Sequence, residues 1–481
     1  MKTIISTITK QLSGKNAYFV GGWLRDMLIG RKNTDIDIAI PNNAQKTAKT
    51  LAKQLGGTYF VLDKENEVYR IALKNSEIAC IDICKYKGKT ILEDLQKRDF
   101  TINAIAAPID SKKFDVLKHI YDPLNGKAEL KSKTIKQLSK QVFKDDPVRL
   151  MRAFRISCEL GFNIENATLK NIVANAKLLH TTAAERSREE MLKILLANNS
   201  IDTLEQLDKT GLLCQLFPCQ TSMKKSSKKF YFHKNGLWDH SVKTLKSLEN
   251  ILDTIEKHFP DNNELIKQHL NSEIAGGIKR YQLLKIAALF HDCAKPMCAK
   301  KVGGKMHFLG HETKGSALIG QTLTNLKFPK KCITYVQELV LHHMRPISLG
   351  QSAILTERAK QRIHKALGTN LPDLLILALC DCMSYKNLNI KVSVKFEVIE
   401  NLVRKIIKYY FQEQNKPVLP KLLDGHFLMQ KLKIKPGPAV GILLSYIKEL
   451  QQRGKISTKE EALKTAKEKL KIKRIQKLLV K

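Results

Sequence analysis

The chain has 481 residues, 43% of them hydrophobic, which is enough to build the cores of two to four domains and too apolar for a disordered tail. Lys and Arg number 83 against 46 Asp and Glu, a net charge of +37 spread along the sequence, and such an excess points to a polyanionic partner such as nucleic acid. Ten scattered cysteines without a Cys-x-x-Cys pair argue against a zinc ribbon and fit a reducing compartment. With no apolar leader ending in a cleavage site and no run approaching ~18 apolar residues, a cytoplasmic protein with no membrane partner is expected.

In chain order, AYFV, DIDIAI, TYFVLD, VYRIAL and EIACIDIC are short β-rich runs within residues 17–110, separated by helical or turn segments. From Leu130 to about Ser226 the apolar residues fall at three- and four-residue steps, as in DDPVRLMRAFRISCELGF and AAERSREEMLKILLA, and predict helices. The polar basic SMKKSSKKF, 222–230, is read as a first boundary. A second helical block then runs to about residue 410. KPVLP, 416–420, is a second boundary, before a small helical unit whose end is the basic EEALKTAKEKLKIKRIQKLLVK.

The stretch VGGWLRDMLIGRKNTDIDIAI, 20–40, carries the first sign of chemistry. On a strand, residues two apart share a face, so Asp35 and Asp37 point to one site while Ile36, Ile38 and Ile40 face the core. Two carboxylates on one face suit divalent cations that assist phosphoryl transfer. Gly21 and Gly22, ahead of a helix, let bare N–H groups approach phosphate oxygens, and Arg25 adds a fork of donors. Asp82, in a later strand-like run, is the candidate third acid; a turn-forming aspartate is the alternative.

GG-x-x-RD-x-L-x-G with its Asp-x-Asp, then KRDFTINAIA (97–106), DPLNGKAEL (122–130), DDPVRLMRAFRIS (145–157) and ERSREEMLKILL (185–196), resemble in order the class II tRNA nucleotidyltransferase and bacterial poly(A) polymerase family. The resemblance implies an α+β, multidomain chain: a polymerase-β-like head (1–129), a helical neck and body that select the nucleotide and bind RNA (130–221), and further helical domains. It also implies Mg²⁺ in the head and a reaction that adds C and A to the 3′ end of tRNA from CTP and ATP. By the same resemblance Arg98, Asp99 and Asn103 contact triphosphate and ribose, and Asp146 and Arg149 read the base. That pairing has a physical logic. Cytosine and adenine present an amino donor beside a ring-nitrogen acceptor, which suits an Asp acceptor next to an Arg donor, whereas uracil and guanine reverse the order. Asp145 stands where the family usually has Glu, and Asp-Pro also predicts a helix N-cap with proline at the first helical position. Arg152 and Arg155 continue the basic row toward nucleotide or RNA phosphate. Glu185 and Arg188 are expected to brace the body helices. Fifteen residues separate Asp82 from Arg98, where CCA-adding members usually carry a longer loop, so addition of CC alone stands beside full CCA addition.

HKNGLWDHSVKTL (233–245), LFHDCAKP (289–296), GHETKGSAL (310–318), LHHMRP (341–346) and ALCDCMSY (378–385) follow the order of the HD phosphohydrolase superfamily. This second resemblance implies a domain over 231–410 that holds a divalent metal (Mg²⁺, Mn²⁺ or Ni²⁺) with His240, His291, Asp292 and Asp381. His311 with His342 or His343 would serve a second metal or a phosphate, and Lys295 a phosphate. The tail, 416–481, is expected to be helical and to lie along tRNA phosphates or face solvent. The competing readings are a poly(A) polymerase, which shares the head, or a chain that acts mainly as a metal-dependent phosphatase or phosphodiesterase.

Overall fold

The computed structural model describes residues 2–110, 116–226, 236–352, 354–385, 395–415, 420–452 and 454–471. The chain divides into two compact units, Met1–Tyr410 and Phe411–Lys481. KPVLP lies outside the described residues except for Pro420, as do the last ten residues of the basic tail and the 227–230 half of the first boundary, whose 222–225 half ends a helix, Cys219–Lys225.

The amino-terminal part of the first unit is built on six strands: β1 (Tyr18–Val20), β2 (Asp35–Ile40), β3 (Thr58–Asp63), β4 (Val68–Ala72), β5 (Cys80–Lys85) and β6 (Ala106–Pro108), in the order β3-β4-β5-β2-β1-β6. The β2 and β5 strands run parallel, and every other neighbouring pair is antiparallel. Ile36, Ile38 and Ile40 are buried on one face of β2, as the alternation requires. Five strands fall on the predicted runs. The sixth, Ala-Ala-Pro, has neither β-branched nor aromatic residues and is recruited by pairing with β1.

DPLNGKAEL locks the KRDFTINA segment in place. The Asp122 carboxylate accepts from the N–H groups of Gly126 (2.7 Å) and Lys127 (2.9 Å), and a Cβ on Gly126 would stand 2.3 Å from the Thr101 carbonyl oxygen. Phe100, Ile102 and Ile105 are core residues.

The expected N-cap at Asp145 is not formed. Asp145 instead ends a one-turn helix, Val142–Asp145, Asp146 is extended (φ −152°), and the long helix Arg149–Leu160 starts after Val148. Pro147 lacks an N–H and disfavours helical geometry in the residue before it, so the chain breaks here and restarts.

The helices Leu237–Asp253, Arg280–Phe290, His311–Asn325, Lys330–His342 and Leu371–Met383 form the later part of the first unit. They are joined to the body by buried polar contacts. Glu249 accepts from the N–H groups of Ser200 (2.9 Å) and Ile201 (3.1 Å), capping helix Ser200–Lys209, and pairs with the fully buried Lys285 at 2.9 Å. Arg188 braces as expected, donating to the Lys327 carbonyl. The most apolar helical run among the described residues, Glu357–Met383, has 67% of its 18-residue window buried inside the fold, which makes it a core element.

The second unit packs helices Gly425–Leu432, Pro438–Gln452 and Lys459–Leu470 around Leu428, Leu443, Ile447, Ala462 and Ala466. Pro436 and Gly437 form a bend ahead of the second of them.

Candidate active site and metal centre

One cleft of about 720 Å³ gathers Gly21, Gly22, Arg25, Asp35, Asp37, Asp82, Arg98, Asp99, Asn103, Asp146, Arg149, Arg152 and Arg155, all of the candidate catalytic and nucleotide-binding residues of the first half of the sequence. The sheet register explains the floor: Asp37 stands directly opposite Asp82 across the parallel β2–β5 pair, two carboxylates on one face of adjacent strands. Burial, and then the Asp82 charge, raise the Asp37 pKa from 3.8 to about 6, opposed by Arg98. Gly21 has φ +69°, and a Cβ there would lie 2.8 Å from Asp37 Oδ2, so the glycine is required both for backbone geometry and for the close approach. The Trp23 N–H, in the first turn of helix Gly21–Leu28, donates to the same oxygen at 3.4 Å.

Arg70 was not found in the sequence. It lies opposite Asp82 in the β4–β5 register and donates from Nε and Nη2 to the two Asp82 oxygens, each at 2.7 Å. Only the strand pairing reveals it, since nothing in VYRIAL marks the arginine. Asp94 is different: it fixes Arg98 through two hydrogen bonds, 2.8 and 3.0 Å, across one helical turn, and its four-residue spacing from Arg98 is the signal that could have found it.

Asp99 is an internal anchor. Its Oδ1 accepts from the Asn103 side chain (2.9 Å) and Oδ2 from Arg152 (2.8 Å), and although burial opposes ionisation, Arg152 and Asn103 drive its pKa far below the usual range. Asn103 in turn accepts from Arg25 at 3.0 Å. The Arg149–Arg152–Arg155 row lines the cleft with its guanidinium groups already engaged. Arg149 donates to the carbonyls of Lys97, Arg98 and Val142. Arg152 pairs with Asp99 and Glu190, and Arg155 with Glu159 and Glu190. The row is therefore a structural seam between helices as well as a cleft wall. Asp146 is gripped at both oxygens by Arg186, at 2.8 and 3.0 Å.

A second constellation lies in the later helices. His240, His291 and Asp381 place ligand atoms within 4.8 Å of one another, and Asp292, His311 and His343 do the same. Asp292 joins the two sets: its Oδ2 lies 3.3 Å from His291 Nε2 and 3.5 Å from His240 Nε2, and its Oδ1 lies 3.3 Å from both His311 Nε2 and His343 Nε2. Of the two histidines left open by the sequence, His343 is the one in the cluster.

The imidazole tautomers follow from their partners. Nδ1 of His291, His311 and His343 faces the carbonyls of Ala288, Phe308 and Val340 at 2.7–2.9 Å, and a carbonyl can only accept. The Ser384 hydroxyl donates to the Asp381 carbonyl and so accepts from His240 Nδ1. All four rings therefore carry the proton on Nδ1 when neutral and turn the Nε2 lone pair inward, with Nε2 atoms 3.2 Å apart in one pair and 3.3 Å in the other. Facing lone pairs, together with buried Oδ1 atoms on Asp292 and Asp381 that lack a hydrogen bond, form a donor set suited to cations. Lys295 supplies one positive charge, 2.5 Å from Asp292 Oδ2. Burial opposes ionisation of Asp292, but Lys295 and His291 hold its carboxyl well below the usual range.

Three family models match consecutive parts of the chain: a poly A polymerase head domain over residues 17–136, a probable RNA and SrmB-binding site of polymerase A over 161–224, and an HD domain over 237–385. An A-adding tRNA nucleotidyltransferase of Deinococcus radiodurans is 27% identical over 93% of this chain and 94% of its own length. A CC-adding tRNA nucleotidyltransferase of Thermus thermophilus is 27% identical over 93% and 92%, and one of Geobacter sulfurreducens is 31% identical over 62% and 64%. Among solved structures, a CCA-adding enzyme in complex with CTP superimposes with a TM-score of 0.61 at 20% identity, over 98% of this chain and 96% of that one. The Thermotoga maritima CCA-adding enzyme complexed with tRNA gives 0.58 at 21% identity, over 98% of both.

Proposed function

The chain belongs to the tRNA nucleotidyltransferase and poly(A) polymerase family and carries an HD domain, and from this premise we propose that it extends tRNA 3′ ends with cytidine from CTP, as a CC-adding enzyme. The observation that carries the reading is a single cleft with the acids Asp35, Asp37 and Asp82 on its floor and the Asp146–Arg149 pair on its wall. The restriction to CC rests on two further points. Only residues 86–90 connect β5 to the next helix, Ile91–Gln96, and the curated relatives matched by sequence over nearly their whole length are A- or CC-adding, whereas the structural neighbours at 20–21% identity are CCA-adding enzymes.

In this reading the helix start at Gly21 and Gly22, with Arg25 and Arg98, binds the triphosphate. Asp146 accepts from the cytosine amino group while Arg149, held by three carbonyls, presents a donor to the ring nitrogen. The tRNA 3′ hydroxyl attacks the α-phosphate in line and pyrophosphate leaves, with the protein contributing position and charge. Asp35 and Asp37 are the residues that would hold Mg²⁺. Their oxygen donor set fits, and the raised Asp37 pKa marks a negative charge in need of a cation. Bound there, Mg²⁺ supplies neutralisation of the phosphate charge. Asp82, both of whose oxygens Arg70 holds, would join that set only if released from the guanidinium.

The HD domain is assigned as a phosphohydrolase acting on phosphate esters. His240, His291 and Asp381 would hold one divalent ion, and His311 and His343 a second, with Asp292 shared.

Product sequencing tests the main reading. A tRNA ending at the discriminator base, offered CTP and ATP, is expected to gain CC. A CCA product would overturn the restriction, and a long A tract or no extension would overturn the assignment.

A further inference from the structure

Arg186 sits in the first turn of helix Ala184–Leu196, where the helix dipole disfavours a positive charge. Its guanidinium is half exposed, yet both Nη atoms are committed to Asp146, Nη1 to Oδ1 at 3.0 Å and Nη2 to Oδ2 at 2.8 Å. Arg149, three residues from Asp146 and the other member of the pair, approaches it only to 4.0 Å and commits three of its five donors to backbone carbonyls. Asp146 itself is extended and follows a broken helix, so the local backbone does little to fix its carboxylate. A carboxylate offers about four lone-pair sites, and a fork–fork contact takes two along one edge while defining the plane of the others.

We propose that Arg186 is a positioning residue for base selection: it holds the Asp146 carboxylate oriented, so that its remaining lone pairs meet an amino donor on the incoming base. The inference rests on the reading of Asp146 as the base-selecting acceptor. Arg186 acts through Asp146 from a different helix, so the selecting unit spans the seam between the neck segment and the body. A carboxylate freed from the fork rotates and no longer aims a lone pair at the cytosine amino group, so cytosine loses its advantage over uracil.

The test uses the full-length protein and single additions to a tRNA lacking its terminal CCA, with kcat and KM measured for CTP and for UTP. Loss of a charge-assisted contact worth about 1.5–3 kcal/mol predicts that Arg186→Ala lowers the CTP-over-UTP ratio of kcat/KM by about ten- to a hundredfold. Arg186→Lys, which keeps the charge without the fork, should recover part of it. Arg186→Gln provides a second variant that keeps hydrogen-bonding capacity. An unchanged ratio, with both substrates slowed equally, would reduce Arg186 to a structural brace and overturn the proposal; a raised ratio would overturn it in favour of a blocking role. Asp146→Ala separates the two levels. If it leaves the ratio intact, the reading of Asp146 falls; if it abolishes the ratio while Arg186→Ala does not, the inference about Arg186 falls alone.

Discussion

Asp37 carries the electrostatic cost of the head. Its carboxyl titrates at about 6 in the folded chain against 3.8 as the reference value, so the folded state without metal holds this proton more tightly than the unfolded state. The sign is therefore opposite to that of a salt-bridged aspartate: stability is greatest below pH ~4, falls as pH rises toward 6, and stays lower above it. Asp37→Asn should stabilise the EDTA-treated protein by about 3 kcal/mol at pH 7.5 and by nearly nothing at pH 4, read from urea midpoints. Protons and Mg²⁺ also compete for the same oxygens, so the Mg²⁺ concentration needed for half-maximal addition should climb as pH drops below about 6. In the HD domain the neighbouring histidines separate roles cleanly. His343→Ala is expected to lower the Mn²⁺ stoichiometry of the domain by one ion, and His342→Ala to leave it unchanged, as measured by elemental analysis after dialysis.

At the scale of elements, the catalytic floor depends on strand register more than on any one residue. The parallel pairing of β2 and β5 sets Asp37 against Asp82, and the antiparallel pairing of β4 and β5 sets Arg70 against Asp82. A helix must start at the edge of this floor, and Gly21 makes the turn. Gly21→Ala places a methyl 2.8 Å from Asp37 Oδ2 in a backbone region that L-residues avoid. A displacement of even ~1 Å at the reacting centre is worth about a hundredfold, so this variant should lose at least that much addition rate while its HD domain binds Mn²⁺ as before. DPLNG holds RDFTIN in place by the same close approach. Gly126 admits the Thr101 carbonyl oxygen to 2.3 Å of where a Cβ would stand, and so fixes the segment that carries Arg98 and Asp99.

Across the whole molecule, the joint between body and HD domain is polar and buried. Glu249 caps a body helix, and Lys285, with 1% of its surface exposed, bonds to Glu249, to Ser200 and to the Ala197 carbonyl. Removing one partner of a buried ion pair strands the other, so Lys285→Met should cost about 3–5 kcal/mol, with loss of both activities on heating. The double variant Lys285→Met/Glu249→Gln should recover part of that loss, because no bare charge remains. Thermal melts followed by nucleotide addition and by HD ion binding give both readouts.

The sequence by itself marked the candidate site residues that the fold gathers in one cleft and one histidine–aspartate cluster. Asp-x-Asp, the paired glycines, DDPVR, the four histidine-bearing motifs and ALCDCMSY are local patterns, because a strand face or a helix start is set by residues two to four apart. It also determined that the chain is α+β with a helical remainder, since hydrophobic periodicity is local too. The tertiary structure alone decided which cations and anions meet. Arg70 on Asp82, Arg186 on Asp146, Arg152 on Asp99 and His343 rather than His342 on Asp292 join residues up to 53 positions apart, and no spacing rule reaches that far. It likewise cancelled the cap at Asp145, which looked sound as a dipeptide but lost to the break imposed by Pro147 between two helices. Charges pair through space, and which partners come within ~3 Å depends on how strands register and helices cross, a property of the packed chain and not of any short stretch within it.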